Sequence, residues 1–384
     1  MAERMRDVEP SPTLDITSLA KKMMKEGKNV INFAAGEPDF DTPEPIKKIA
    51  KEAIDEGFTK YTPSSGTEEL KDIICAKFKR DNRLNYTQNQ IIVSCGAKHS
   101  LYNVFQVLCN PADEVVLIAP YWVSYPEMIK IVGAKPVIVK AKESDNFRVH
   151  ASALKKAITK KTKAIVLNSP SNPAGVIYSL KELEEIAEIA VANKIFVISD
   201  EIYEKLIYDQ KKHISIGSLG SDIYKQTITV NGVSKSYSMT GWRIGYLGAD
   251  PLITKGISIL QSHSTSNPTS ISQKAALGAL ELPKKAIDEM CAEFEKRRNC
   301  MIKRLDEIPA LMYTKPSGAF YVFCNIQKTG LKAKEFARNL LKEKLVAVIP
   351  GEAFGFDGYV RLSFATNLEK INEGINRMKQ WLKQ

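Results

Sequence analysis

The 384-residue sequence contains no run of about twenty apolar residues, the length needed to cross the hydrocarbon core of a bilayer. Its first residues, MAERMRDVEPSP, are charged and lack the apolar segment of a secretory signal. We therefore expect a soluble cytoplasmic protein that does not bind a membrane.

Cysteine and histidine are both scarce, with six and four residues. The cysteines are scattered, with neither the CxxC motif nor the ligand spacing of a metal site. They are Cys75, Cys95, Cys109, Cys291, Cys300 and Cys324. We expect reduced thiols and predict no metal.

A concentrated basic block is also missing, although the formal net charge is +11. The lysines occur in short pairs such as Lys21-Lys22 and Lys284-Lys285, interleaved with acidic residues at helical spacing. This pattern is typical of solvated helix faces rather than of a surface that binds phosphate backbones. Nucleic acid is therefore not a predicted partner.

The sequence does contain alternating apolar runs and amphipathic segments, and 44% of its residues are hydrophobic. Strand-like runs such as QIIVSC, EVVLIA, AIVLN, KIFVISD and TITVNG are interspersed with helical patterns from about residue 45 to 285. This order predicts an α/β fold with a mostly parallel sheet covered on both faces. A long amphipathic helix resumes after Pro283, and the strand-like runs that follow predict a small α+β unit.

Residues suited to bind a ligand follow these five runs, at the strand ends where ligands bind in open α/β sheets. In order, they are Gly96-Ala97-Lys98, Pro120-Tyr121-Trp122, Asn172, Asp200 with Tyr203, and Lys235. Each residue alone has a structural interpretation as a turn, a helix cap or a core aromatic. Lys235 alone could equally be a lysine that extends out of an ordinary loop. Their occurrence together at five strand ends favours a common ligand.

A phosphorylated aromatic aldehyde with a basic ring nitrogen, pyridoxal 5'-phosphate, suits this set. The backbone N–H groups of Gly96, Ala97 and Lys98 at a helix start can hold a phosphate. Trp122 can stack on the ring, and the Asp200 carboxylate can keep the ring nitrogen protonated.

The remaining polar groups suit the other substituents of the same ligand. Asn172 and Tyr203 can share the ring hydroxyl, and Arg243 can bind the phosphate through two parallel hydrogen bonds. Lys235 can form the Schiff base, because an amine held away from water is nucleophilic near neutral pH.

Several stretches resemble the class I, fold type I pyridoxal-phosphate aminotransferases in order and spacing. They are INFAAGEPDFDTP, KYTPSSGTEEL, APYWVSYPEM, NSPSNPAG, SDEIYEKL, SKSYSMTGWRIGY, PSGAFY and VRLSFAT. The resemblance covers nearly the whole chain and is greatest to the bacterial and archaeal aspartate aminotransferases of subgroup Ib. It implies a large domain with a mostly parallel, seven-stranded sheet flanked by helices, plus a small α+β domain.

The resemblance also implies domain boundaries and an assembly. Residues 1–40 would form an N-terminal arm and part of the small domain, residues 41–285 the large cofactor-binding domain, and residues 286–384 the small domain. The small domain would close over bound substrate. Tyr61 would reach the cofactor phosphate of a neighbouring subunit, which implies a homodimer with shared active sites.

The remaining roles implied by the resemblance concern catalysis and the substrate. Lys235, Asp200 and Tyr203 would be the catalytic residues, with Lys235 also moving the proton between substrate and cofactor. Arg361 would bind the α-carboxylate of the substrate, assisted by Gly36 and Asn172. Trp122 would line the substrate site as well as the cofactor site.

The sequence departs from the family pattern at two positions. Gly232 replaces a hydroxyl residue that often contacts phosphate, and Ser234 is an uncertain substitute. Ser262 stands where animal-type relatives carry an arginine for the distal carboxylate. Lys98 fits the alternative of subgroup Ib for that carboxylate, although it could instead contribute only its backbone amide to phosphate binding.

The resemblance therefore predicts ping-pong transfer of the amino group of L-aspartate to 2-oxoglutarate, giving oxaloacetate and L-glutamate. Its small-molecule partners would be amino acids and 2-oxo acids. An aromatic or prephenate aminotransferase on the same scaffold is the alternative. A cofactor-sensing transcription regulator would carry a DNA-binding module, for which only about 30 residues precede INFAAGEPDF, and a nicotinamide dehydrogenase is disfavoured by the missing G-x-G-x-x-G motif.

Overall fold

The computed structural model describes residues 2–10 and 12–383, and its elements follow the predicted alternation of strands and helices. The α-helices are α1 (Pro12–Lys25), α2 (Glu44–Asp55), α3 (Glu68–Lys77), α4 (Ala97–Leu108), α5 (Ser124–Ile131), α6 (Ala151–Ala157), α7 (Leu180–Asn193), α8 (Ser221–Gln226), α9 (Pro251–Ser262), α10 (Ser270–Glu281), α11 (Lys284–Leu305), α12 (Ala333–Lys344) and α13 (Leu368–Trp381). The strands are β1 (Ile31–Asn32), β2 (Ile91–Ser94), β3 (Glu114–Ala119), β4 (Lys135–Lys140), β5 (Thr162–Asn168), β6 (Phe196–Asp200), β7 (Thr227–Gly232), β8 (Gly245–Gly248), β9 (Met312–Tyr313), β10 (Tyr321–Asn325), β11 (Val346–Ala347), β12 (Ile349–Pro350) and β13 (Tyr359–Ser363).

The central sheet has seven strands in the order β2-β8-β7-β6-β5-β3-β4. Neighbours from β7 to β4 pair in parallel, whereas β8 is antiparallel to both β7 and β2. Every residue of β2 and β7 is buried, as expected for strands covered on both faces. The predicted α/β class and the mostly parallel, seven-stranded sheet are confirmed.

Two strands of this sheet, β4 and β8, were not predicted from the sequence. β4 lies at the sheet edge and has only one buried residue, and lysines flank the apolar residues of its sequence KPVIVK. β8 has the sequence GYLG, which has low strand propensity. A Cβ atom added at Gly245 would collide with the backbone of Ala97, so β8 needs glycine to pass close to the start of α4.

A second, antiparallel sheet has the order β12-β13-β10-β9. The 22-residue helix α11 precedes it, after Pro283 has separated α11 from α10. This confirms the helix predicted to resume after Pro283. The short strand β1 pairs in parallel with β11, so residues near 31 lie against residues near 346. The domain boundaries at residues 40 and 285 stay a prediction.

Two sequence predictions concern what the protein lacks. Among the described residues, no helix combines the length and the apolar character needed to span a bilayer. All six cysteines lie within these residues and are unpaired.

Candidate active site

A cavity of about 470 Å³ opens where the carboxyl ends of β5 and β6 face the second sheet. Ten of the residues predicted for the site line it: Gly36, Ala97, Lys98, Trp122, Asn172, Asp200, Tyr203, Lys235, Arg243 and Arg361. Gly96 lies directly before Ala97 as the N-cap of α4. Tyr61 is outside the cavity wall and is 91% exposed. Side chains far apart in sequence thus share one chemical environment.

Lys235 follows β7 and extends into this cavity. Its Nζ atom donates a hydrogen bond of 2.6 Å to the carbonyl oxygen of Gly36. Desolvation lowers the pKa of Lys235 to about 8, with Arg361 and Arg243 acting in the same direction and Glu37 opposing them. A substantial neutral fraction of the amine is therefore available near neutral pH, as a nucleophile or base requires.

Asp200 ends β6 and is buried. Its Oδ2 atom accepts a 2.6 Å hydrogen bond from the Tyr125 hydroxyl, and its Oδ1 atom accepts one of 3.3 Å from the backbone N–H of Ile202. Desolvation raises the pKa of Asp200 to about 6, even though both hydrogen bonds lower it. A cationic N–H group placed in the cavity would stabilise the ionised carboxylate.

Arg361 lies on β13 and is only 4% exposed. Its Nη1 atom donates to Asn172 Oδ1 at 3.1 Å and its Nη2 atom to the carbonyl of Ala34 at 2.9 Å. Its guanidinium carbon lies 4.3 Å from the centre of the Tyr321 ring. Within residues 2–10 and 12–383, Nε has no hydrogen-bond partner and the guanidinium forms no ion pair. Such a group is suited to bind the carboxylate of a small molecule.

The N-terminus of α4 and Arg243 form a cationic corner of the cavity. Gly96 has a φ angle of +94°, and a Cβ atom there would collide with the Arg243 guanidinium. Arg243 is held by hydrogen bonds from Nη1 to the Thr240 carbonyl at 3.0 Å and from Nη2 to the Cys95 carbonyl at 3.2 Å. The Gly96 N–H already donates to the Ser94 carbonyl at 2.7 Å, so the predicted donors that stay available at this helix start are the N–H groups of Ala97 and Lys98. Helix-start N–H groups beside an arginine make a suitable site for a phosphate group.

Lys98, in the first turn of α4, places Nζ 5.0 Å from the centre of the Trp122 ring. Desolvation, and to a smaller extent the charge of Arg243, lowers the pKa of Lys98. Within the described part of the chain, no carboxylate lies within ion-pair distance of this amine. Besides Arg361 and Arg243, the cavity wall therefore holds a further cation, Lys98, that can receive an anionic substrate group.

The sequence profile described as "Aminotransferase class I and II" matches residues 28–378. The chain belongs to this family. An aspartate aminotransferase of Bacillus subtilis is 49% identical over 389 residues, which cover 100% of this chain and 99% of the relative.

Two solved structures are similar to this aminotransferase over nearly its full length. The aspartate aminotransferase of Thermus thermophilus with maleate has a TM-score of 0.96 at 37% identity, covering 99% of each chain. An aromatic aminotransferase of Pyrococcus horikoshii has a TM-score of 0.90 at 42% identity, covering 95% of this chain and 98% of the other. The predicted family membership is confirmed.

Among the described residues that line the aminotransferase cavity, seven polar ones were not among the predicted site residues: Thr17, Glu37, Tyr125, Asn168, Ser234, Thr240 and Tyr321. Asn168 is the last residue of β5, so its position at a strand end could have marked it in the sequence. Its side chain accepts a 2.8 Å hydrogen bond from the Asn172 N–H. Ser234, the uncertain substitute for the hydroxyl that often contacts phosphate, lies in the cavity wall. The Tyr321 and Tyr203 hydroxyls are 2.9 Å apart, a contact between β10 of the second sheet and the turn that follows β6.

Proposed function

We propose that this aminotransferase uses pyridoxal 5'-phosphate to move the amino group of L-aspartate to 2-oxoglutarate. The observation that carries the proposal is the presence of two cations, Arg361 and Lys98, in the wall of the cavity that contains Lys235. Two carboxylates on one small substrate can pair with these two cations. The named activity of the Bacillus subtilis relative supports the same substrate.

The polar groups of the cavity fit this cofactor. Asp200 is a buried carboxylate with no cation paired to it among the described residues, and a pyridine N–H would supply one. Gly96 leaves room for the Arg243 guanidinium beside the start of α4, where a phosphate would bind. Ala97, Lys98, Trp122, Asn172 and Tyr203 would complete the cofactor site.

Pyridoxal phosphate supplies an electron-withdrawing ring that stabilises negative charge at the substrate Cα atom. The protein's contribution is to position and exchange protons around that atom. Lys235 provides the amine nucleophile and then, at Nζ, the base that accepts and returns the Cα proton. Asp200 keeps its negative charge towards the ring nitrogen, supported by the Tyr125 hydroxyl. Tyr203 would contact the ring hydroxyl, with Tyr321 as its hydrogen-bond partner.

Substrate orientation would depend on Arg361, Asn172 and Gly36. The α-carboxylate would pair with Arg361, whose Nε is otherwise without a partner in residues 2–10 and 12–383. Asn172 is hydrogen-bonded to the same guanidinium, and the Gly36 carbonyl holds the free Lys235 amine. Binding of the α-carboxylate thus places Cα beside Lys235, where proximity accelerates proton transfer.

Tyr61 supports the proposal that the enzyme acts as a homodimer. A tyrosine that is 91% exposed gains no stability from its own fold and is available to a second copy of the chain. We expect its hydroxyl to contact the phosphate held by the partner subunit. Tyr61→Phe would then weaken pyridoxal phosphate binding without changing the fold, as measured by cofactor titration and light scattering.

A visible absorption spectrum with pyridoxal phosphate tests the function directly. L-Aspartate should shift the band of the enzyme-bound cofactor, and 2-oxoglutarate should restore it. Lys98→Met should reduce kcat/KM for aspartate about ten- to a hundredfold, the effect expected from the loss of one charge pair. The kcat/KM for alanine, which has no distal carboxylate, should stay nearly the same. Lys284→Met, at an 86% exposed side chain, is the matched control. No band at all would reject the cofactor.

Aromatic substrates remain a second candidate because of one specific feature of the cavity. Trp122 and Leu101 give its wall an apolar surface beside Lys98, and the Pyrococcus horikoshii relative is named for aromatic substrates. A spectrum that responds to phenylalanine but not to aspartate would favour this candidate. Prephenate, which has two carboxylates, belongs in the same substrate panel.

A further inference from the structure

A buried polar cluster lies directly behind Asp200 and takes no part in the proposed reaction. We call it the Glu201 cluster. Its members are Lys77, Asn82, Ser199, Glu201, Glu204, His213 and Ser215. They come from the end of α3, the π-helical turn Phe78–Asn82, the end of β6 and the loop that carries His213. Burial of this many charged groups is costly unless all are paired.

Glu201 is the centre of the cluster and is fully buried. Its Oε1 atom accepts hydrogen bonds from the hydroxyls of Ser199 at 2.8 Å and Ser215 at 2.7 Å. Its Oε2 atom lies 2.8 Å from Asn82 Nδ2 and 2.8 Å from His213 Nε2. Four hydrogen-bonding groups thus surround the Glu201 carboxylate.

The other half of the cluster is an ion pair between Lys77 and Glu204. Asn82 joins the two halves: its Nδ2 atom donates to Glu204 Oε2 at 2.7 Å, and its Oδ1 atom accepts from Lys77 Nζ at 2.7 Å. The π-helical turn that ends at Asn82 directs this side chain inwards; such turns are frequent at functional sites.

The cluster is not arranged as a metal site, although ligand atoms of Glu201, Glu204 and His213 lie within 4.8 Å of one another. Lys77 and Asn82 donate to the carboxylate oxygens that a metal would need. The ammonium group of Lys77 already supplies the positive charge beside Glu204 that a metal ion would otherwise provide. Charge balance is therefore the better explanation of the cluster.

Counting charges shows why His213 matters. Glu201 and Glu204 bring two negative charges, and Lys77 brings one positive charge. The groups that face His213 are Glu201, Glu204 and Lys77. Burial alone lowers the pKa of His213, but the charge and hydrogen bond of Glu201, with Glu204, outweigh this effect and raise it above its usual range. The protonated histidine makes the cluster neutral.

The cluster is coupled to Asp200 through β6. Successive side chains of a strand point to opposite faces, so Ser199 and Glu201 face the cluster while Asp200 faces the cavity. Glu201 directly follows Asp200 in the sequence, and the negative charge of its carboxylate contributes to raising the pKa of Asp200. Neutralising Glu201 with a protonated histidine would weaken that repulsion.

We propose that His213 is a positioning residue that neutralises Glu201 and thereby keeps Asp200 ionised towards the ring nitrogen of the cofactor. This role rests on the proposed function, because it assigns Asp200 to the cofactor ring. Protonation takes place at His213 Nδ1, since Nε2 already faces Glu201. In residues 2–10 and 12–383, Nδ1 has no hydrogen-bond partner, so the proton adds charge without breaking a bond.

The first experiment examines the cluster without the cofactor. The chain has four histidines, so their ring C2–H signals can be resolved by NMR in the apoprotein. We expect His213 to titrate above 6.5, the value of an unperturbed histidine. Glu201→Gln should lower its midpoint by at least one pH unit. Asp200→Asn should lower it by a smaller amount, because coupling between two sites is reciprocal.

The second experiment follows the cofactor spectrum against pH. His213→Gln keeps a hydrogen-bond donor but cannot carry charge, so its cofactor absorption should change with pH at a midpoint shifted from that of the wild type. Adding Glu201→Gln should restore the wild-type profile, because the uncompensated negative charge is then gone. His150→Gln is the matched control, because His150 faces Asp145 at 3.0 Å on the surface, where the side chain is 67% exposed.

Two results would overturn the proposal, and they differ from a failure of the proposed function. One is a His213 midpoint that does not respond to Glu201→Gln or Asp200→Asn in the apoprotein. The other is an identical pH profile of the cofactor band in His213→Gln and wild type. Absence of any cofactor band would reject the cofactor itself and leave the NMR result on the cluster intact. Reduced stability of His213→Gln with unchanged spectra would indicate a purely structural histidine and would also reject the proposal.

Discussion

Two buried arginines of this enzyme have opposite surroundings. Arg298 is fully buried and its guanidinium donates to Asp209 at 2.7 and 2.9 Å, to Glu295 at 3.1 Å and to the Pro316 carbonyl at 3.1 Å. Arg361 is buried to nearly the same extent, but its described partners are one amide oxygen and one backbone carbonyl. The first guanidinium is neutralised by its own chain, and the second is not.

The same contrast appears between two lysines. Lys77 is buried and forms an ion pair with Glu204. Lys235 donates to the Gly36 carbonyl and has no ion pair within residues 2–10 and 12–383. Lys235 is partly buried. Since an unpaired cation in a desolvated cavity destabilises a fold, its persistence indicates a ligand that supplies the missing negative charge. The difference separates structural charges from functional ones.

The largest effect that tests this contrast is expected for Lys235→Ala. Loss of the nucleophile and base should reduce kcat by about 10⁴-fold or more. The free energy of unfolding of the apoprotein should stay the same or rise, because a poorly paired amine is removed. Aminotransfer assays and urea denaturation of the same preparations measure both quantities. Wild-type turnover by Lys235→Ala would contradict the assignment.

Arg361→Lys tests the unpaired guanidinium. Lysine keeps the charge but cannot form two parallel hydrogen bonds with a carboxylate. We expect kcat/KM for aspartate to fall by about a hundredfold, which corresponds to about 2.7 kcal/mol. Stability should change little. Steady-state kinetics at varied aspartate measures this effect, and an unchanged kcat/KM would place the α-carboxylate elsewhere.

Arg298→Met is the matched change at the paired guanidinium. Asp209 and Glu295 would lose their partner, and we expect a loss of about 2–4 kcal/mol in the free energy of unfolding. This is below the full cost of breaking a buried pair, because their side chains are 33% and 35% exposed. Urea denaturation measures it. If Arg298→Met instead lost activity with unchanged stability, the division between structural and functional cations would be wrong.

The sequence predicted most of this architecture where local patterns were sufficient. β2, β3, β5, β6 and β7 are apolar runs, and their carboxyl ends carry Lys98, Trp122, Asn172, Asp200 and Lys235 near the cavity. The carboxyl ends of parallel strands meet at one edge, so a list of the residues after each strand was informative. β8 was not predicted because its glycines serve close packing, Gly245 against the start of α4 and Gly248 against the Tyr86 ring.

Other parts of the site depend on contacts between distant segments. Arg361 and Gly36 were assigned only through the family resemblance, because Arg361 comes from the second sheet and Gly36 from the segment after β1. Tyr321, on the second sheet, contacts Tyr203 in the turn after β6, and no local pattern marks it. The Glu201 cluster joins Lys77 and Asn82 to His213, more than 100 positions away. The roles of the site residues therefore stay predictions for experiment.

The pH dependence of stability distinguishes Lys235 from a paired lysine. The pKa of Lys235 is about 8 in the fold and about 10.4 in an unfolded chain. Between these values the unfolded state binds one more proton, so the stability of the apoprotein should rise with pH relative to Lys235→Met. Below about pH 8 the difference in the free energy of unfolding between the two proteins should be constant. Denaturation series at pH 7, 9 and 10 measure it, and parallel curves for the two proteins would contradict the low pKa.

The smallest effect is expected for Tyr321→Phe, which removes the hydroxyl 2.9 Å from Tyr203 and keeps the ring that lies against the Arg361 guanidinium. One hydrogen bond of about 1 kcal/mol corresponds to about a fivefold change in kcat. KM for aspartate should change less than kcat, because the cation–π contact that supports Arg361 persists in the variant. Tyr321→Leu removes both features and should raise KM as well. Equal effects of the two substitutions would mean that the ring, rather than the hydroxyl, is what the site requires, and that Tyr321 serves the unpaired arginine alone.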